Sequence, residues 1–246
     1  EYWHVSTYIV FYGYLSIERG AFDEAEVIID KLSEIWETYG NENATEYRYS
    51  LKIILLILLH KFYDALEEAN NGIAFHRQTG RELVMIYYLG YKAVIQIYIE
   101  EINGAQECLL EAKELVTKIG FIPPIYVSGY LKGQFLLDLY LLEQAIQHND
   151  NNEKLKSIKK AKKSGKRALQ NSAKYAFDRP EIFRMIGIYY WFIGSQTKAI
   201  QFWSQSIKIA ERFGADFQLA KTYMEIGKRL CKGKHRFGKV MGITAG

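Results

Sequence analysis

Proline and cysteine are both scarce in this chain of 246 residues, and long apolar runs are missing. Three prolines in such a length favour long uninterrupted helices, because proline breaks the interior of a helix. The two cysteines, Cys108 and Cys231, are too few and too far apart for a disulfide framework or a metal site, which predicts a reducing, cytoplasmic location. The longest apolar run, Ile53–Leu59, is far shorter than the roughly 20 residues that span a bilayer, so no membrane partner is expected.

Sequence motifs that carry chemistry are also missing. Neither of the glycine-rich patterns that bind phosphate, Gly-x-x-x-x-Gly-Lys-Ser/Thr and Gly-x-Gly-x-x-Gly, occurs. Ala220-Lys221-Thr222 resembles the end of a phosphate loop, but it lacks the glycines and lies inside a predicted helix. We therefore expect no cofactor, no metal and no enzymatic activity of the chain's own.

Small residues recur along the chain in two interlocking series, and most steps within each series are 40 residues. A small residue lets two helix backbones approach, so the series predict antiparallel helix pairs, about eleven helices in an all-α fold with a 40-residue period. Both series place one insertion of about 14–16 residues within the fourth pair. The positions on the first helices are Gly13, Ile53, Ala93, Gly133, Gly187 and Gly227, and those on the second helices are Ala25, Ala65, Ala105, Ala161 and Ala199.

The clearest unit spans residues 180–215, where Gly187 precedes Tyr190 by three residues and Ala199 precedes Trp203 by four. This order of small and large positions resembles the tetratricopeptide repeat (TPR), although that repeat usually has 34 residues. HEAT and armadillo repeats share the longer period, but the two spacings favour the TPR. The resemblance implies a right-handed superhelix whose first helices line a concave face.

The closing run from Ala210 to Gly227 resembles the C-terminal helical regions of large STAND-class signal-transduction ATPases, among them soluble-type adenylyl cyclases. That resemblance implies an ATP-binding or cyclase domain elsewhere in a larger protein. We expect one repeat domain over residues 1–231, with five helix pairs and a closing helix, and a flexible tail over residues 232–246. Asn103-Gly104 is the predicted turn inside the third pair.

The TPR resemblance also places candidate residues on a concave groove. The predicted groove is apolar and aromatic, becomes basic toward its C-terminal end, and would suit an extended or helical peptide with an acidic end. Arg184 stands where a carboxylate clamp of this family has its cation, but Ile188 replaces the expected asparagine, so that particular clamp is not expected. Gly90 is a further groove position by the same offset. The main candidates are Tyr14, Tyr130, Gln134, Arg184, Ile188 and Lys228.

A second candidate surface is the strongly basic stretch from Lys154 to Arg167, which has eight cations in fourteen residues. Three interpretations remain open: a solvated helix face, a surface for an acidic protein, and a nucleic-acid site. The last is disfavoured because the stretch has no aromatic residue to stack on bases and the net charge of the chain is only +4. The candidate residues are Lys156, Lys159, Lys160, Lys163, Lys166 and Arg167.

These observations favour a non-catalytic scaffold for protein–protein interaction or regulation in a signalling protein, whose partner is a protein, a peptide or its own upstream domain. The alternative is a ligand-sensing domain that gates an attached ATPase or cyclase. A deep pocket with convergent polar groups would favour sensing, and an open apolar groove would favour a protein partner.

Overall fold

The computed structural model describes the backbone of residues 2–232 and the side chains of residues 4–229. Within that range the chain forms eleven α-helices and one short 3-10 turn, Ala176–Asp178, and it has no strand. The all-α prediction is confirmed for this part of the chain. The helices are α1 (Tyr2–Arg19), α2 (Phe22–Tyr39), α3 (Glu42–Leu58), α4 (Phe62–Gln78), α5 (Glu82–Tyr98), α6 (Ile102–Ile119), α7 (Pro124–Gln147), α8 (Asn151–Ser172), α9 (Arg179–Phe192), α10 (Gln196–Phe213) and α11 (Asp216–Lys232).

Each helix packs against the next one along the chain, and the odd-numbered helices also contact one another in order. The last helix, α11, returns to contact α1. The six odd-numbered helices therefore form a closed series of contacts, with the even-numbered helices packed beside them. This arrangement brings side chains from distant parts of the sequence together at the centre.

The same turn joins the two helices of every pair. In each turn one residue has a positive φ, its amide donates to the carbonyl three residues back, and the following amide donates to the carbonyl five residues back. This is the hydrogen-bond pattern with which many helices end. The positive-φ residues of the first three turns, Gly20, His60 and Glu100, follow one another at intervals of 40 positions, which is the predicted period. In these five turns the residues with positive φ are Gly20, His60, Glu100, Asn149 and Gly194.

The small residues of the two series lie where helices touch. All five alanines of the second-helix series are fully buried. A Cβ added to Gly187 would lie 2.2 Å from the indole nitrogen of Trp203, so this contact tolerates only glycine. Gly227 differs, because a Cβ there would meet nothing within 4 Å. The reason is that no second helix follows α11 within residues 2–232.

Helices α5 and α7 approach most closely, backbone against backbone. A Cβ on Gly90 would lie 2.2 Å from the carbonyl carbon of Gly129, and one on Gly133 would lie 2.9 Å from the carbonyl oxygen of Gly90. Gly90 thus lies in a helix contact, and its prediction as a groove residue is wrong. This contact fixes which face of α7 turns toward α5.

One further element prediction needs correction. The turn of the third pair is at Ile99–Glu101, because α6 already begins at Ile102 and includes Asn103 and Gly104. Of the predicted tail, Lys232 is the last residue of α11, and residues 233–246 lie outside the described residues. Among residues 2–232, no helix combines the length and the hydropathy that crossing a bilayer requires.

Candidate functional site

A cleft of about 550 Å³ opens at the centre of the molecule, between α3, α5, α7, α9 and α11. We call it the central cleft. A neighbouring cavity of about 420 Å³ shares Tyr98, Leu136, Met185 and Ile188 with it. The two cavities together have the size in which proteins bind small molecules or short segments of chain.

The floor of the central cleft is a network of buried charges centred on Glu181. One carboxylate oxygen lies 3.0 Å from the ammonium of Lys132 and the other lies 3.1 Å from the guanidinium of Arg184. Burial alone would raise the pKa of Glu181, but the two cations outweigh it and lower the pKa to about 2. Glu181 is therefore an ionised partner for both cations.

Lys132 has further partners deep in the floor. Its ammonium donates to the Tyr91 hydroxyl at 3.2 Å and lies 3.7 Å from a carboxylate oxygen of Asp178. The Ser128 hydroxyl donates to Asp178. Burial nevertheless raises the pKa of Asp178, against the effect of Lys132, so this carboxyl group holds a proton more readily than an exposed one.

Helix α11 joins this network to α1. The guanidinium of Arg184 donates to the side-chain oxygen of Gln218 at 3.0 Å, and Gln218 lies near the buried carboxyl group of Glu18 on α1. Burial, followed by repulsion from Glu181, raises the pKa of Glu18 to about 7. Beside this contact the rings of Phe22 and Phe217 meet edge to face, with centroids 5.7 Å apart.

Lys221 lines the cleft one turn of helix after Gln218. Its ammonium lies 5.0 Å from the ring centroid of Phe217, and within the described part of the chain it makes no hydrogen bond or ion pair. Burial lowers its pKa to about 8, and the charge of Arg184 adds to that effect. Lys221 is thus a half-buried cation that faces the cleft, next to Lys132 and Arg184, which are already bonded to Glu181.

The walls above the floor are mainly apolar. They come from these five helices and from Phe62 at the start of α4, and Lys228 stands exposed at the rim. A large apolar segment that bound there would remove its apolar surface from water. This burial makes the dominant favourable contribution to the free energy of most associations. The apolar residues that face the cleft are Ile57, Leu58, Phe62, Val94, Tyr98, Leu136, Met185, Ile188, Phe217, Ala220 and Met224.

Three of the predicted groove residues meet in the central cleft: Arg184, Ile188 and Lys228. Arg184 is buried and already bonded to Glu181 and Gln218. Tyr14 lines a separate cavity of about 90 Å³, where its hydroxyl donates to Ser50 at 3.0 Å.

The other two predicted groove residues, Tyr130 and Gln134, do not line the central cleft. Helix α7 faces it with Lys132 and Leu136 instead. Residues two apart on a helix point about 200° apart, so a shift of two positions reverses the face. The glycine contact with α5 sets this rotation: Tyr130 is buried beside it, and Gln134 donates to Asp138 on its own helix.

The basic stretch forms the outer face of α8. All six of its candidate residues are exposed, and the opposite face packs through small residues against α7 and α9. Lys156 pairs with Glu153 at 2.7 Å, and the guanidinium of Arg167 lies 6.0 Å from the ring centroid of Tyr130. This surface is open to solvent and has no cavity like that at the centre.

The sequence predictions missed Lys132, Glu181, Gln218 and Lys221. The sequence does indicate that two pairs of these residues share a helix face, because the members of each pair are three residues apart. The pairs are Glu181 with Arg184 and Gln218 with Lys221. Nothing in the sequence indicates that α9 and α11 turn these faces toward each other. A comparison of the sequence with protein-family models and with curated proteins finds no match.

Proposed function

We propose that this chain is a non-catalytic interaction module that binds a peptide segment of a protein in its central cleft. The observation that carries the proposal is the cleft itself, in which apolar walls surround a charged floor at the meeting point of five helices. Such a surface suits a segment with apolar side chains and at least one charged group.

Binding fits the floor better than catalysis does. The carboxylate of Glu181 accepts from two cations, and Lys132 and Arg184 each have two or more partners. Groups that are held in this way stabilise a scaffold and are poorly placed to exchange protons with a substrate. The partner's side chains would then contact the apolar walls and the ammonium of Lys221.

The proposal includes a TPR-like right-handed superhelix within a larger cytoplasmic signalling protein of the STAND class. Its support is the identical turn in all five helix pairs and the burial of the small residues at the predicted spacing. In this proposal the partner is another protein or an upstream domain of the same protein, and the outer face of α8 is a secondary contact for acidic surfaces.

The test is a selection of peptides from a random display library against the immobilised chain, followed by affinity measurements with two variants. Ile188→Asp places a charge in the apolar wall, and Leu155→Asp places the same charge on an exposed part of α8. We expect the selected peptides to lose at least about tenfold in affinity for Ile188→Asp and to keep it for Leu155→Asp. Equal affinity for both variants would refute binding in the cleft.

One observation favours the second candidate, a ligand-sensing domain that gates an attached ATPase or cyclase. Arg184 on α9 bonds Gln218 on α11 beside the cleft, and the buried carboxyl group of Glu18 on α1 lies near this pair. A small molecule that displaced one of these contacts would change how α1 and α11 meet. In that case a metabolite-sized ligand, and no peptide, would protect the chain from thermal unfolding.

A further inference from the structure

We infer that the central cleft takes a ligand that joins an apolar body to a carboxylate, and that the ammonium of Lys221 binds this carboxylate. The inference rests on the proposed function and deepens it, because it names the group that the cleft recognises. It follows from the partners of three neighbouring cations, from the balance of charge at the floor and from the shape of the walls.

The first step is that only one of the three cations at the floor is free among the described residues. Lys132 is bonded to Glu181 and Tyr91, and Arg184 is bonded to Glu181 and Gln218. Lys221 lines the same cleft without an ion pair or a hydrogen bond in the described part of the chain. A half-buried ammonium is stabilised when an anion reaches it.

The second step is that three cations at the floor, Lys132, Arg184 and Lys221, surround the carboxylate of Glu181. Glu181 is the carboxylate that the cations hold ionised, whereas burial raises the pKa of both Asp178 and Glu18. Burial and then the charge of Arg184 lower the pKa of Lys221 to about 8, and the opposing effect of Glu181 does not offset them. An anionic ligand would relieve this repulsion.

The groups that remain for a ligand at the floor favour a carboxylate over other anions. Because Arg184 already uses its guanidinium on Glu181 and Gln218, Lys221 supplies the one ammonium left for the ligand at the floor, which matches a singly charged carboxylate better than a doubly charged phosphate. Phe217 and Met224 flank Lys221 on the same helix, and Ile188 and Met185 stand opposite on α9. These side chains would cover the apolar body of the ligand.

The carboxylate has two possible sources, an acidic or C-terminal residue of a peptide and a free alkyl carboxylic acid. Calorimetric titrations of the 246-residue chain separate charge from apolar contact by using decanoate, decan-1-ol and decyltrimethylammonium as probes. We expect decanoate to bind at least about tenfold more tightly than the other two, since a charge-assisted hydrogen bond distinguishes it. Equal binding of decanoate and decan-1-ol would overturn the inference.

Variants of the lysine test its role directly. Lys221→Gln should weaken decanoate binding about tenfold or more, Lys221→Arg should keep most of the affinity, and Lys208→Gln, on the exposed side of α10, should leave it unchanged. Circular dichroism shows whether each variant keeps its helices. A folded Lys221→Gln variant that binds decanoate as the wild type does would contradict the assignment.

A proton count gives an independent readout. At a pH above 8, carboxylate binding should take up protons in the wild type but not in Lys221→Gln, measured as a dependence of the binding heat on the buffer. The charged groups that act most on Lys221 from other helices are Glu18 on α1, Lys132 on α7, and Glu181 and Arg184 on α9, and Glu225 and Lys228 line the same cleft on α11. An uptake that persists in Lys221→Gln would assign the proton to one of these groups and overturn the inference.

The peptide arm separates the inference from the proposed function. Display-selected peptides are compared with copies in which each carboxylate is replaced by an amide. If acid and amide forms bind the cleft equally, the inference fails and the peptide function stands. If decanoate binds through Lys221 but no selected peptide depends on Ile188, the inference stands and the peptide function fails.

Discussion

The floor of the central cleft and the outer face of α8 both concentrate charged residues, but they use them differently. At the floor, Lys132 and Arg184 are buried and lie 3.0 and 3.1 Å from oxygens of Glu181. On α8 the cations are exposed, and the ion pair of Lys156 is with Glu153 three residues away. A dense basic stretch is thus easier to recognise in the sequence, whereas a few charges that are far apart in the sequence form the buried, hydrogen-bonded site.

The largest difference should appear when one carboxylate is neutralised in each region. Glu181→Gln leaves Arg184 without its counter-ion and Lys132 with only the more distant Asp178, and should lower the free energy of unfolding by about 3–5 kcal/mol. Glu153→Gln, the matched change on α8, should leave it within measurement error, because that pair is exposed. Urea unfolding measures both. A loss of similar size in the two variants would contradict the comparison.

The two faces of α8 allow a second test on one helix. A Cβ on Gly165 would lie 2.9 Å from two ring carbons of Phe135, which is fully buried. Gly165→Ala should therefore reduce stability by about 1–3 kcal/mol through overpacking. Lys163→Ala, on the exposed face of the same helix, should change stability by less than about 0.5 kcal/mol. Thermal unfolding of the two variants compares them, and a neutral Gly165→Ala would argue against close packing of α7 on α8.

The pH dependence of stability should also differ between the interior and the surface. The pKa of Glu18 rises from 4.5 to about 7 on folding, so between these values the folded chain holds a proton that the unfolded chain releases. This group therefore makes stability fall as pH rises from about 4.5 to 7, by up to about 3 kcal/mol.

The Glu18→Gln variant isolates this contribution. Its stability should fall less, or rise more, than that of the wild type over the same pH range, as measured by urea unfolding at several pH values. In the wild type and in the variant alike, His76 changes stability with pH in the opposite direction to Glu18. Burial lowers the pKa of His76 from 6.5 to about 4, so its contribution to stability is lost as the pH falls through this range. Glu26→Gln, on the exposed face of α2, is the control. Identical pH profiles for Glu18→Gln and the wild type would exclude a raised pKa.

The smallest effect on stability is expected for charge reversal on the outer face of α8. Lys159, Lys160 and Lys163 are exposed, so replacing all three with Glu should leave helix content and unfolding midpoint nearly unchanged. The same variant should lose any salt-sensitive affinity for polyglutamate, a model for an acidic protein surface. A mobility shift of single-stranded DNA at low salt would instead revive the nucleic-acid interpretation.

Much of the fold follows from the sequence because small residues and turns keep a fixed spacing. Gly187 and Ala199 predict a close helix contact, and the structure places Trp203 against Gly187. The turn residues His60 and Glu100 were not predictable in this way, since neither is a glycine although both have positive φ. There the hydrogen bonds of the turn, rather than the residue type, set the backbone.

The candidate site was predicted only in part. Of the residues that a uniform offset along the repeat assigns to the groove, Arg184, Ile188 and Lys228 line the central cleft, whereas those on α7 do not. The failure has a three-dimensional cause, because the contact between Gly90 and Gly129 rotates α7 and turns Lys132 inward. The sequence gives no sign that Lys221 faces a cleft, because the return of α11 to α1 leaves no trace in the spacing.

The most direct test of the central claim uses the methionine methyl groups as reporters of where a ligand binds. The chain has four methionines, of which Met185 and Met224 line the central cleft and Met85 is buried in α5 outside it. With carbon-13 in these methyl groups, titration with a selected acidic peptide should shift the resonances of Met185 and Met224 and leave that of Met85 unchanged. Binding that leaves Met185 and Met224 unshifted would place the site elsewhere and contradict the account.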